Sequence, residues 1–211
     1  MTDKIEVWRI RPLRRAGDVA SLRAILPPGE LERSERHPDE AKRRAWVTSR
    51  AVLRLLLAHY THIPANELRF VAGKNGKPYL DLSQNPEGIT FNFSDSADMA
   101  LVAVGWKREV GVDVEQVRTI ERAAEIAARR FSSETAAELA RTANKDKSRV
   151  FLQSWARHEA LLKARAGTIW NPGAEPDGLF NVRDLDTGLD YVGALAVQGD
   201  GWALNMNDYT D

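Results

Sequence analysis

The sequence predicts an α+β protein built in two halves. A long amphipathic helix near position 50 is followed by segments with strand-like alternation, a second group of helices beginning near position 120 is followed by more such segments, and a turn near Gly105 separates the two groups. The order helix, strands, helix, strands therefore divides the chain into an N-terminal α+β half, residues 1–105, and a C-terminal α+β half, residues 106–211. With 43% hydrophobic and 28% charged residues among 211, the chain can bury a core as one domain or as two small halves.

Charge and composition exclude several classes. Thirty basic residues balance thirty acidic ones, which argues against general nucleic-acid or membrane-surface binding, so any anion site must be local. The absence of cysteine excludes thiolate catalysis, disulfides and cysteine-ligated zinc. The N-terminus shows no apolar signal region and no segment approaches the roughly 18 apolar residues of a membrane helix, so a cytoplasmic location is expected.

Lys4 to Ile10 alternates as a strand with Ile5, Val7 and Arg9 on one face, and Arg11, Arg14 and Arg15 form a basic cluster after it. Pro27-Pro28-Gly29 breaks the chain before a charged helix, Glu30 to His37, which Pro38 ends. Asp39 to Tyr60 is the strongest helix: Ala45, Trp46, Ser49, Val52, Leu53, Leu56 and Leu57 recur at intervals of three and four. Arg50 lies between its apolar turns, which makes it the base on this helix expected to bind something. Leu68 to Val71 reads as a short strand. The turn that follows, Lys74-Asn75-Gly76-Lys77-Pro78, can bring backbone and an ammonium group against a phosphate or a purine, although a two-lysine turn is more often merely soluble.

Ile89 to Ser94 and Met99 to Val104 read as strands joined by a turn at Asp95 to Asp98. With the next apolar run they suggest a three-stranded antiparallel unit that places Ser94 and Asp95 near Asp113 and Glu115. Ile120 to Phe131 is an amphipathic helix, Ser132 caps a second, Asn144 to Ser148 is a polar break, and Arg149 to Ala166 is a third. In the last of these, Trp155, Glu159 and Leu162 share a face, and Glu159 and Lys163 form an i, i+4 pair. Strand candidates at Leu179 to Val182, Tyr191 to Val197 and Trp202 to Met206 complete the chain.

The chemistry concentrates in Glu109-Val110-Gly111-Val112-Asp113-Val114-Glu115. On an extended strand, residues two apart point to the same side, so Asp113 and Glu115 share a face. Like charges so held call for a cation, and Mg²⁺ takes one or two carboxylates while leaving positions for water and phosphate oxygens. An edge strand with a solvated acidic face is the alternative that this stretch alone leaves open.

Gly111-Val112-Asp113-Val114-Glu115, followed by Trp155-Ala156-Arg157-His158-Glu159-Ala160-Leu161-Leu162-Lys163, resembles the paired signature of the 4'-phosphopantetheinyl transferases, in particular the longer single-chain, surfactin-synthetase-activating type. Arg43-Arg44, Ser49-Arg50, Gly76-Lys77-Pro78-Tyr79 and Phe91-Asn92-Phe93-Ser94 support the likeness, which runs from about Glu40 to Gly167. The resemblance implies two pseudo-symmetric halves with coenzyme A in the cleft between them. It implies transfer of the phosphopantetheine arm to a serine of an apo acyl or peptidyl carrier protein, with release of 3',5'-adenosine bisphosphate. Asp113, Glu115 and Glu159 would hold Mg²⁺, Lys163 would contact the pyrophosphate, Arg50 the 3'-phosphate, and Gly76, Lys77 and Pro78 the adenosine end. Glu159, or a water it orients, is the natural general base for the carrier serine, with Lys163 offsetting charge.

Two positions depart from the pattern. The family usually has His after the strand serine Ser94 and Lys before the helical glutamate, where this chain has Asp95 and His158. Both changes remove positive charge beside a polyanion, and Arg157, Arg9, Arg11 and Lys74 are the candidates for compensation. Asp95 can add a metal ligand or repel the ligand. A family member repurposed for another ligand, or a non-catalytic carrier-binding module, are the competing readings. The resemblance also favours a monomer, and Arg122, Arg129 and Arg130 mark a helix face able to meet an acidic carrier.

Overall fold

The structure is a computed structural model that describes residues 4–12, 19–73, 76–165 and 178–210. The N-terminal half contributes β1 (Lys4–Ile10), α1 (Val19–Ile25), α2 (Pro28–Ser34), α3 (Glu40–Thr61), β2 (Phe70–Ala72), β3 (Pro78–Leu80), β4 (Ile89–Ser96) and β5 (Met99–Trp106). The C-terminal half contributes β6 (Val110–Gln116), α4 (Ala123–Arg130), α5 (Ser133–Arg141), α6 (Asn144–Ala164), β7 (Phe180–Leu185), β8 (Tyr191–Gln198) and β9 (Ala203–Asp208). The α+β class is the one expected.

A four-stranded sheet runs β4-β5-β1-β9 and a three-stranded sheet runs β6-β8-β7, while β2 and β3 pair as a separate hairpin. The large sheets meet across a shared apolar core that includes Ile5, Val7, Leu101 and Ala103 from one and Val110, Val112, Val114 and Leu195 from the other. Each sheet carries a long helix on its other face. On the first, α3 packs Val52, Leu53, Leu56 and Leu57 against Phe91, Val102 and Val104. On the second, α6 packs Ala156, Ala160 and Ala164 against Ala194 and Ala196. The molecule is thus two helix-backed sheets pressed together, matching the pseudo-symmetric halves that were expected.

Local chemistry explains the main helix. Asp39 caps α3 by accepting a hydrogen bond from the Lys42 N–H at 2.7 Å, and His62 ends it in the left-handed region with φ 58. Arg54, only 3% exposed, is satisfied by Glu30 at 2.8 Å and by the carbonyls of Ala65 and Leu68 at 3.0 Å.

Three sequence expectations change. The polar stretch 144–148 is the first turn of α6, not a break; Asp146 sits there, where negative charge suits the helix dipole. Helix α1 was not foreseen, and the charged helix covers Pro28–Ser34 rather than Glu30 to His37. Strand β6 is not the third strand of a meander: β4 and β5 pair, but β6 pairs with β8 and opens the second sheet. The last strand, β9, returns to the first sheet and lies parallel to β1, with Val7 opposite Met206.

Candidate active site

The edge strands β4 and β6 lie side by side, and side chains replace the missing ladder between them. Asn92, Ser94 and Ser96 share one face of β4. Asn92 Oδ1 accepts from the Val112 N–H at 2.9 Å, Ser96 Oγ accepts from the Gln116 N–H at 3.0 Å, and Ser94 Oγ donates to Asp113 Oδ1 at 2.8 Å. These bonds satisfy an edge that would otherwise expose backbone donors. The proximity of Ser94 to Asp113 is as expected, but its cause is different.

The facing helix is held by a close approach. A Cβ on Gly111 would lie 2.1 Å from the carbonyl oxygen of Ala160 and 2.3 Å from the nitrogen of Ala164. Only glycine lets α6 come so near β6. That contact sets Glu159 and Lys163 over the face of β6 that carries Asp113.

Lys163 Nζ lies 2.7 Å from Asp113 Oδ1, and it also donates to Ser94 Oγ at 3.0 Å. Asp113 is 5% exposed. Burial pushes its carboxyl above the usual range, although Lys163 and Ser94 pull the other way. Glu159 is likewise raised, first by burial and then by the charge of Asp113. Two buried oxygens here have no hydrogen-bond partner among the described residues: Asp113 Oδ2 and Glu159 Oε1.

Glu115 lies on the same face of β6 but is engaged by Arg118. Its Oε2 pairs with Arg118 at 2.8 Å and lies 3.4 Å from Ser96 Oγ. Among the described residues, no group of three His, Cys, Asp or Glu side chains is gathered as a metal cluster. Three carboxylates repel when no cation lies between them, and here one takes Lys163 and another takes Arg118. The orphan oxygens of Asp113 and Glu159 nevertheless fit a hard divalent ion that needs only one or two carboxylates.

The remaining candidates are spread around this centre. Arg50 is held between two rings, 5.5 Å from the Trp46 centroid and 4.8 Å from that of Phe93, and burial lowers its pKa. Asp95 follows Phe93 by two residues and is exposed on the side of β4 opposite Ser94, so it does not join Asp113. His158 packs its ring 6.1 Å from that of Phe131, beside Arg130 and Thr135 and turned away from Asp113; burial, then Arg130, lower its pKa. Trp155 stacks on Phe151, a core role.

Lys77 is 7% exposed, and its ammonium donates to Glu109 Oε2 at 2.7 Å and to the Val110 carbonyl at 2.9 Å. Tyr79 donates to the same carboxylate oxygen at 3.1 Å. Lys77 therefore ties its loop to β6 and does not present a charge to a ligand; Gly76, with φ 77, and Pro78 shape that loop. Lys74 lies outside the described residues, as do Arg14 and Arg15. Of the proposed compensating cations, Arg157 is paired with Asp184 at 2.6 Å and Arg9 with Asp208 at 2.8 Å. Arg11 donates to the Asp98 carbonyl at 3.3 Å, over the ring of Tyr191.

Sequence reasoning gave no role to Asn92, Ser96, Arg118 or Glu109. For Asn92 and Ser96 a signal existed: with Ser94 they place polar groups at i, i+2 and i+4, on one face of the strand.

Comparison with known proteins agrees with this arrangement. Residues 109–203 match the model of the 4'-phosphopantetheinyl transferase superfamily, and residues 14–107 match that of the 4'-phosphopantetheinyl transferase N-terminal region. The chain is 28% identical to the 4'-phosphopantetheinyl transferase HetI of Nostoc sp., over 96% of this chain and 91% of the relative. It is 33% identical to the 4'-phosphopantetheinyl transferase AcpT of Escherichia coli, over 73% of each chain. A shorter match, 31% identical over 47% of this chain and 33% of the relative, links it to the human L-aminoadipate-semialdehyde dehydrogenase-phosphopantetheinyl transferase. A lysine bridging a buried aspartate and a strand serine, with a helical glutamate beside them, thus lies within matches that span both halves, and the chain belongs to the 4'-phosphopantetheinyl transferase superfamily.

Proposed function

We propose that the chain moves the 4'-phosphopantetheine arm of coenzyme A to a serine of an apo acyl or peptidyl carrier protein, as a cytoplasmic monomer of the surfactin-synthetase-activating type. Residues 1–105 and 106–211 form the two walls of its cleft, except that β9 joins the first sheet, and the second wall carries the reactive groups. The observation that carries this reading is the cluster of Lys163 Nζ, Ser94 Oγ and Asp113 Oδ1 within 3.0 Å of one another, beside two unpartnered carboxylate oxygens.

In the transfer, the carrier serine oxygen attacks the phosphorus that bears the pantetheine arm, and the bond from that phosphorus to the bridging oxygen breaks. The products are the phosphopantetheinyl serine and 3',5'-adenosine bisphosphate. Lys163 sits where it can offset charge that develops on the pyrophosphate oxygens. Ser94 holds Asp113, and Asp113 orients the Lys163 ammonium. Glu159, whose carboxyl is raised by burial and by Asp113, suits acceptance of the serine proton. Asp113 and Glu159 would hold Mg²⁺, with Glu115 joining once it leaves Arg118; the ion supplies charge neutralisation and in-line orientation of the pyrophosphate. Arg50, with Gly76, Lys77 and Pro78 shaping the opposite wall, would meet the adenosine end. The exposed arginines Arg122, just before α4, and Arg129, in its last turn, would face an acidic carrier.

The test is mass spectrometry of apo acyl and peptidyl carriers incubated with the protein and coenzyme A, with and without Mg²⁺. A gain of the phosphopantetheine mass that depends on Mg²⁺ is expected. Calorimetry showing no coenzyme A binding at millimolar ligand would sink the reading.

A further inference from the structure

We propose that Asp95 sets the donor specificity of this chain, so that coenzyme A and 3'-dephospho-coenzyme A serve almost equally as phosphopantetheine donors. The inference rests on the transferase reading above and concerns a part of the donor remote from the reacting phosphorus.

The reacting pyrophosphate belongs at Lys163, the cation beside Asp113 and Glu159. A second phosphate on the donor needs a second cation. Among the described residues considered for that part, Arg9, Arg157 and Lys77 are committed to Asp208, Asp184 and Glu109. Arg50 is different. Its guanidinium lies between the rings of Trp46 and Phe93 and makes no hydrogen bond to a described residue, so its donors are unspent. Lys163 and Arg50 lie on opposite sides of β4, reached through Ser94 and Phe93 respectively. A donor that crosses the end of this strand can meet both.

Asp95 stands at that crossing. It shares the strand face of Phe93 and is exposed; of the acids whose charge acts on Arg50 it follows Glu30, which is already paired with Arg54 at 2.8 Å. An acidic group next to this unspent guanidinium cancels part of the attraction for a phosphate and repels the phosphate directly. The neutral 3'-hydroxyl of dephospho-coenzyme A escapes that repulsion and can donate to the carboxylate. Transfer from this donor forms the same serine phosphodiester and breaks the same pyrophosphate bond, but releases adenosine 5'-monophosphate.

The experiment compares kcat/KM for the two donors with one apo carrier, in the native protein and in Asp95→Asn and Asp95→Ser, with calorimetric affinities for both donors. The native protein should use the two donors within about threefold, while either variant should raise the preference for coenzyme A by about tenfold, the size of one charge-assisted contact. A native preference for coenzyme A above about a hundredfold, roughly two such contacts made elsewhere, or a ratio that neither variant moves, would overturn the proposal and leave the transferase reading intact. Failure of the native protein to bind or use either donor would overturn the transferase reading, and the proposal with it.

Discussion

The two helix-backed sheets solve the same packing problem in different ways. Helix α3 stands off its sheet on Val52, Leu53, Leu56 and Leu57 against Phe91, whereas α6 lies against its sheet on Ala156, Ala160, Ala164 and Gly111. Large side chains tolerate small displacements, because rotamers can shift to keep the core filled. Backbone in contact with backbone does not. The close pair carries Asp113, Glu159 and Lys163, the groups to which the proposed transfer assigns the chemistry. The distant pair carries Arg50, whose cation is held by ring faces and by no hydrogen bond to a described residue. Position is thus built in at the C-terminal half and adjustability at the N-terminal half.

Gly111→Ala is the strongest way to break this contrast. The added methyl meets the Ala160 carbonyl and Ala164 backbone. Overpacking of about 3 kcal/mol, the upper end of its ordinary range, is expected from denaturant unfolding. A displacement of about 1 Å should further lower transfer about 100-fold in the protein that remains folded. Wild-type stability and rate in this variant would show that the close approach is not needed.

Lys163→Ala tests the chemistry without moving the helix. Transfer should fall about 10²–10³-fold, as for loss of a preorganised charge-stabilising donor. Circular dichroism should show the fold retained, and a loss below tenfold would move the charge-stabilising role to another residue.

Lys77→Met probes the tie between the walls. Its buried ammonium joins the loop before β3 to Glu109 at 2.7 Å and to β6. Removing one partner of a buried pair costs about 3–5 kcal/mol, with the lower end expected because Glu109 is partly exposed. A double-mutant cycle with Glu109→Gln should recover part of that cost; additive losses would show that the pair is not coupled.

The smallest effect belongs to the N-terminal sheet. Burial raises the Glu6 carboxyl, but bonds from Lys4 and Tyr60 outweigh it and hold the group below its ordinary 4.5. A depressed folded value stabilises the protein above about pH 4.5, and that stability is lost as pH falls through the lowered value. Glu6→Gln should therefore flatten the acid side of the stability profile and leave its neutral dependence alone. An unchanged acid slope in urea melts taken at several pH values would contradict this.

Much of this was legible in the order of residues. Leu56 and Leu57 recur at helical spacing, Ile5 and Val7 at strand spacing, and Asp113 stands two residues from Gly111 on one strand face. The Glu159–Lys163 spacing likewise placed both groups one turn apart. Such patterns are local, and local periodicity decides which face an element buries. The sheet to which β6 belongs was not legible, because β5 and β6 are joined by a short turn that fits either a meander or a change of sheet. Likewise Asn144 to Ser148 reads as a break by its polarity, although an exposed first helical turn has the same composition.

The sequence by itself determined the α+β class, the two halves, the helix and strand that bear Asp113, Glu159 and Lys163, and the family resemblance carried by Asp113, Glu115, Glu159 and Lys163. Tertiary structure decided the partners. It gave Asp113 to Lys163 and Ser94, Glu115 to Arg118, Lys77 to Glu109, and it set Asp95 on the strand face of Phe93, whose ring Arg50 meets, and not on the face of Ser94. The physical reason is that the residue type states what charge or hydrogen bond a side chain offers, while its use depends on which distant segment packing brings within 3 Å or so of it.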